Sequence, residues 1–350
     1  MKSIYNYVLI DFTLLMIVSI ILKLLQRQLN MNIFLDPAIL FFIFGVLAGF
    51  AKSNLEIPYP ISRFLSLYLL MALGLKGGFA LNQSGITLEI ARALGIAVFL
   101  ATLIPITGYF ILSKKLNKLD AAAIAATYGS ISAVTFITTT QSLDQNGIAY
   151  GGYMAAAMAI MESPAIILAI IWANKARDTN PSSTHKNPSL SKVLHESFTD
   201  GGQLLLIGSM LIGMISGEVA YKAMAPFSID LFKGLLSFFL LDMGLRASRS
   251  FGELSHIPKI TIAYAIIGPL VHASFALVIC KLVGLELGQT ILFMVLAASA
   301  SYIAVPAVLR QAMPEVNPAI YMGMSLGLTF PLNIIFGIPL YTYAAKQFFQ

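Results

Sequence analysis

Charge is what this sequence has least of. Lys, Arg, Asp and Glu together make up 11% of its 350 residues, against 58% hydrophobic ones. A water-soluble domain carries roughly a quarter charged residues, so this chain cannot cover its surface in water. Cysteine is nearly absent. Cys280 stands alone in an apolar run, which excludes a disulfide framework and a thiolate metal site. The four histidines, His185, His195, His256 and His272, share no metal-ligand spacing. There is no HExxH, phosphate-binding loop or GxSxG elbow, so no enzyme is expected. The net charge of +6 comes from basic residues spread among loops, which argues against nucleic acid as a partner.

Apolar length is what the chain has in abundance, and the mean hydropathy is +0.82. Apolar runs lie near 37–51, 60–82, 88–113, 119–143 and 149–174, and again near 201–217, 226–247, 257–283, 286–311 and 317–346. Runs of about 20 residues match a hydrocarbon core about 30 Å thick. The reading is an all-α integral membrane protein with ten spans, its surface covered by lipid. Between the two sets lies a polar stretch, 175–200, containing NPSSTHKNP and expected to be a cytoplasmic loop with a short amphipathic helix near 190–198. Residues 1–30 form an N-terminal extension, expected as an eleventh membrane helix or an interfacial one. A full crossing by 7–25 would leave Lys23 and Arg27 outside, and initiation at Met31 is the alternative.

The two sets of five repeat one another. LLMALGLKGG (69–78) matches FLLDMGLRAS (239–248), which sets Lys76 opposite Arg246 at an offset of 170. AATYGSISAV (125–134) matches LAASASYIAV (296–305) at an offset of 171, and Pro164 corresponds to Pro331 at 167. Three near-equal offsets in chain order define a repeat, 31–174 followed by 201–350. Five spans per repeat is an odd number, so the halves run in opposite orientations. Loop charge agrees: with the 175–200 loop inside, twelve basic residues fall on the cytoplasmic face and three on the other.

Inverted-repeat carriers bind their cargo at the midplane, where helices are interrupted. Two matched interruptions are expected. TYGSISAVT places Gly129, Ser130, Ser132 and Thr135 mid-way along the fourth run; SASYIAVP places Ser299, Ser301, Tyr302 and Pro306 in the ninth. Half-helix N-termini meeting there present free amides and positive dipole ends to an anion. Small-residue patches also allow tight helix packing, but two at equivalent positions favour a binding site. The second pair is MESP (161–164) and TFP (329–331). Proline removes a backbone donor and frees a carbonyl. An intramembrane carboxylate is costly and rarely idle. Glu162, Ser163 and Thr329 are therefore the expected ligands of a hard cation, with Na⁺ the coupling ion.

Other polar residues read as structural. Lys76 and Arg246 near helix ends are expected to snorkel, Asp242 to pair with Arg246 four residues on, and His272 to be buried and hydrogen-bonded. Glu89 and Arg92 are expected at the interface, with Trp172 and Tyr341 as belt anchors.

At GLKGGFAL, YGSISAVT, the acidic residue before Pro164, GLLSFFLLDMGLRA, SASYIAVPAVLR, NPAIY and Pro331, the chain resembles the cyanobacterial-type sodium-dependent bicarbonate transporters, over about 35–341. The resemblance implies inverted five-helix repeats with broken, crossing helices arranged as core and gate domains, a homotrimer in a bacterial inner membrane, and Na⁺-driven bicarbonate uptake. It gives the substrate cavity to Ser130, Ser132, Thr135, Ser299 and Ser301, and sets Glu162 where those proteins carry an aspartate. Tyr302 replaces an acidic residue of theirs, and the short central loop leaves a PII-type regulatory partner unassigned.

The leading function is thus Na⁺-coupled symport of bicarbonate or a similar small anion. The first alternative is proton-coupled transport of a small carboxylate through Glu162. A non-transporting membrane sensor or scaffold ranks lower. An intramembrane hydrolase pairing Ser132 with His272 has no nucleophile elbow to support it.

Overall fold

A computed structural model of the chain describes residues 36–349 apart from 86, 179–194, 196–198, 253, 255 and 256. The extension over 1–30 and, His195 apart, the short helix expected near 190–198 lie outside the described residues. All regular structure among the described residues is helical: α1 (Pro37–Phe50), α2 (Tyr59–Ser84), α3 (Leu88–Leu112), α4 (Lys118–Gly129), α5 (Ala133–Gln145), α6 (Met154–Asp178), α7 (Gly201–Ala225), α8 (Phe232–Phe251), α9 (Lys259–Val283), α10 (Leu287–Ala298), α11 (Ala304–Ala312) and α12 (Pro318–Phe349), the last containing two π-helical segments.

Helix starts follow local chemistry. Asp36 accepts from the Ala38 amide at 2.7 Å, Asn117 from Asp120 at 2.8 Å, Asp200 from Gly202 at 2.9 Å and Asn317 from Ala319 at 3.0 Å, each satisfying a first-turn donor the helix cannot. Prolines at 37, 60 and 318 occupy first-turn positions, where no donor is needed.

Seven helical stretches among the described residues are long and apolar enough to cross a membrane. One of them, Gly201–Phe251, has 51 residues, more than twice what a bilayer needs. It contains two helices. Gly217 adopts φ 63, ψ −153, and a π-helical turn at Pro226–Asp230 separates α7 from α8. The positive φ is a conformation that glycine adopts without a Cβ clash. Two shorter apolar helices, α1 and α10, complete the set. The protein is therefore an all-helical integral membrane protein.

Packing crosses between the halves. α1 lies along α8 and α2 along α7, while α3 and α9 cover the α4 and α10 half-helices respectively. The first two contacts are close because they are built on glycine. A Cβ on Gly45 would stand 2.3 Å from the Leu241 carbonyl, and one on Gly213 3.2 Å from the Gly78 Cα. Phe99, Phe110, Ile215, Val219, Ile267 and Leu282 are exposed, as lipid-facing residues are. Of the most apolar 18 residues in a row within Lys118–Gln145, by contrast, 94% are buried, and every residue of α10 after Leu287 is buried. Interruptions in these two elements therefore sit inside protein, where freed backbone groups can be satisfied.

Candidate functional site

Both expected interruptions are present. α4 stops at Gly129 and α5 restarts at Ala133, with Ser130 and Ser132 extended between them. α10 stops at Ala298, Ser299 is extended, and α11 restarts at Ala304. The two gaps cross and bond to each other. The Ser132 amide donates to Ser299 Oγ at 3.0 Å, and the Ser301 amide donates to the Thr127 carbonyl at 2.8 Å. Two breaks thus satisfy part of each other's backbone, which lowers the cost of having them in the membrane.

Their serines also shape the restarting helices. Ser132 Oγ accepts from the Thr135 amide at 3.2 Å and lies 2.9 Å from the Thr135 hydroxyl, while Ser301 Oγ accepts from the Val305 amide at 3.2 Å. Phe136 and Ala307 donate to the Ser132 and Ile303 carbonyls. The amides of Ala133, Val134 and Ala304 have no intrahelical carbonyl to reach, and Pro306 contributes no amide at all.

A cavity of about 690 Å³ opens at this crossing. Its inner wall includes Ser132, Ala133, Val134, Ser301, Tyr302, Ile303 and Ala304; its side walls include Glu162, Gln203, Arg246 and Ser62. Tyr59, Arg63, Asp200, Gly201 and Gln311, lining residues close to helix ends, are exposed, which marks that end as the opening. Ser132, Ser301 and Tyr302 therefore face the cavity as expected. Thr135 and Ser299 stand behind them and hold Ser132 in place. Gly129 and Ser130 do not line it: Gly129 packs against Pro105, and the buried Ser130 hydroxyl has no hydrogen-bond partner. The Tyr302 hydroxyl lies towards Ser132, outside bonding geometry.

Glu162 reaches the same cavity from α6 and accepts from Gln203 Nε2 at 2.6 Å. Ser163 beside it is buried with an unpartnered hydroxyl, and Pro164 denies the Ile160 carbonyl its helical donor. Carboxylate, hydroxyl and freed carbonyl are the oxygen donors that a hard cation takes. Thr329 is not brought to this group. Its hydroxyl donates to the Ala265 carbonyl at 2.9 Å and lies 2.6 Å from the Tyr128 hydroxyl. Among the described residues no three His, Cys, Asp or Glu side chains gather as a metal site.

Sequence reasoning missed Arg246, Gln203 and Ser62. Arg246 does bond Asp242 at 2.9 Å, as spacing predicts, but instead of snorkelling it faces the cavity and also bonds Ser62 Oγ at 3.1 Å. Gln203, a lone amide in the first turn of an apolar helix, was the available signal. Two structural expectations need correction. Glu89 is not simply interfacial: it accepts from Tyr153 and from the buried Gln289, both at 2.7 Å. Tyr341 is buried and donates to Asn333 at 3.1 Å, so it anchors no belt. His272 is buried, as expected, with the Ala297 backbone as its polar neighbour and its Nδ1 outside bonding geometry.

No curated protein matches the chain. A family profile does, that of the Na⁺-dependent bicarbonate transporter superfamily, over residues 37–346. That range takes in both crossing breaks, Glu162 and every wall of the cavity, so the chain belongs to the Na⁺-dependent bicarbonate transporter superfamily.

Proposed function

We propose that the protein is a secondary transporter that carries bicarbonate or a similar small anion together with Na⁺ through the 690 Å³ cavity. The observation that carries this reading is the pair of crossing breaks. They bring the N-terminal residues of α5 and α11, Ala133, Val134 and Ala304, together with Ser132 and Ser301, to the lining of one volume. Oriented amides and helix N-terminal dipoles favour a negative solute, and Arg246, paired with Asp242, adds guanidinium donors to the lining. Glu162 supplies the opposite requirement. Its carboxylate, with Ser163 and the Ile160 carbonyl, suits Na⁺ a short way from the anion, so each ion lowers the other's cost of leaving water.

The reading has ten crossings in two inverted repeats: the seven long stretches with Gly201–Phe251 taken as two, plus α1, plus α10 with the half-helix α11 that follows it. Loop charge puts the cavity's opening on the cytoplasmic side, the end of Lys52, Lys114, Lys115 and Arg310. A homotrimeric assembly in a bacterial inner membrane rests on the family resemblance.

One observation favours a second reading. Glu162 is met by a neutral amide instead of a cation, which also suits a proton carrier. Uptake of labelled bicarbonate into proteoliposomes, at fixed pH with and without a Na⁺ gradient, decides between them. The proposal expects Na⁺-dependent uptake; equal uptake in both conditions removes it.

A further inference from the structure

Away from the cavity's opening, α2 is tied to the far end of the broken helix pair. Lys76 forms an ion pair with Asp144 at the end of α5 and bonds the Tyr150 hydroxyl at 3.2 Å. Its Nζ also lies 5.6 Å from the Tyr150 ring centre. The cavity opens at Tyr59 and Arg63 in the first turns of α2, whereas Lys76 lies in its last third. The molecule is open at one end of α2 and fastened near the other.

The repeat assigns this triad a counterpart. The offset of 170 carries Lys76 to Arg246, and the offset of 171 carries Asp144 to Glu315 and Tyr150 to Tyr321. The segments DQNGIAYGG (144–152) and EVNPAIYMG (315–323) keep the acid, asparagine, tyrosine and final glycine in register. In the structure this second set is apart. Arg246 bonds Asp242 and Ser62, while Glu315 accepts from Arg177 Nε and Nη2, both at 2.8 Å.

We propose that Lys76–Asp144–Tyr150 and Arg246–Glu315–Tyr321 are two latches at opposite ends of the carrier that close in alternation. With the first closed, the cavity opens at Tyr59, Asp200 and Gln311. When the first opens, Arg246 turns from Asp242 to Glu315, which keeps its two bonds to Arg177 and accepts from both guanidinium groups, and that end closes. The inference rests on the transport reading only in requiring two end states; it is independent of what is carried. The chemistry suits a latch. The Lys76 and Asp144 side chains are 40% and 37% exposed, so water takes over readily when they part. Such a wet ion pair shifts a two-state population by only about two- to fivefold.

Thiol labelling tests this. Ala307→Cys puts a reactive group on the cavity wall, and native Cys280 is fully buried. In inside-out vesicles, Lys76→Gln and Asp144→Asn are each expected to slow labelling by a membrane-impermeant maleimide about two- to fivefold, and the exchange Lys76→Asp with Asp144→Lys to restore it. Spin labels at Arg249→Cys and Asn317→Cys, flanking Arg246 and Glu315 in a Cys280→Ser chain, are expected to show a second, shorter distance with Lys76→Gln. Unchanged labelling in both single variants, no recovery in the exchange, or no shorter distance overturns the proposal. Labelling and distances that shift as stated while bicarbonate uptake is absent leave the latches standing and remove the substrate assignment instead.

Discussion

The Ser132 amide and the Ser299 hydroxyl, 3.0 Å apart, join two helix breaks that are 167 residues apart in the chain. Ser299 Oγ in turn donates to the Leu296 carbonyl at 2.8 Å, so its donor and an acceptor position are both used. Ser299→Ala leaves a buried amide without an acceptor, which costs about 1–3 kcal/mol. The half-saturating anion concentration is expected to rise roughly tenfold, since about 1.4 kcal/mol is a factor of ten. Ser299→Thr, which keeps the hydroxyl, is expected to retain most of the affinity. Concentration-dependent uptake into proteoliposomes measures both.

Glu162→Gln removes a charge and preserves shape. The expected result is loss of Na⁺ stimulation, with the protein still folded by size-exclusion chromatography. Gln203→Leu removes the hydrogen bond that Gln203 donates to the Glu162 carboxylate in the cavity wall. It is expected to raise the Na⁺ requirement by about ten- to hundredfold without abolishing the stimulation, given about 1.5–3 kcal/mol for one hydrogen bond to a charge. A Na⁺ titration that leaves Glu162→Gln unchanged sinks the cation assignment.

Gly129 has no room to grow. A Cβ there would meet Pro105 carbons at 2.5–2.7 Å. Gly129→Ala is expected to cost about 1–3 kcal/mol of stability, the usual penalty of overpacking. Pro105→Ala in the same chain is expected to recover only part of it, because it removes the ring Cγ and Cδ but keeps the Cβ that lies closest, at 2.5 Å. Thermal unfolding in detergent reads both effects.

Two ion pairs differ in environment, and so in consequence. The Arg177 side chain is 3% exposed and holds Glu315 by two bonds, so Glu315→Ala strands a buried guanidinium at about 3–5 kcal/mol. Lys222 and Glu218 are 74% and 69% exposed. Glu218→Ala is expected to leave the unfolding temperature unchanged.

Much of the architecture was legible because hydrophobic length maps directly onto bilayer thickness. The apolar runs beginning at 37, 88 and 201 start where α1, α3 and α7 start. The breaks were legible too, since Ser130, Ser132, Ser299 and Ser301 interrupt runs that are otherwise apolar. Orientation about each helix axis was not. The helix that carries Arg246, α8, has only a weak polar stripe, so its sequence does not tell whether Arg246 turns to the interface or the cavity. Glu89 illustrates the same gap. Its partners Tyr153 and Gln289 are 64 and 200 residues away in sequence, and only tertiary packing brings them to it. Ser132 and Thr329 look alike as hydroxyls in apolar runs, yet Thr329 is taken up by Ala265 and Tyr128.

The half-helices α4 and α10 are 12 residues each, about 18 Å at 1.5 Å per residue. That is little more than half of the hydrocarbon thickness. During synthesis the first break leaves the ribosome long before the second, so for that interval Ser132 has no Ser299 to meet. The nascent first half must keep its extended segment away from acyl chains, shielded by α3 and α6 or by the insertion machinery. Biogenesis is therefore completed only when the second half arrives, and a chain truncated after α6 is destined for quality control instead of the membrane.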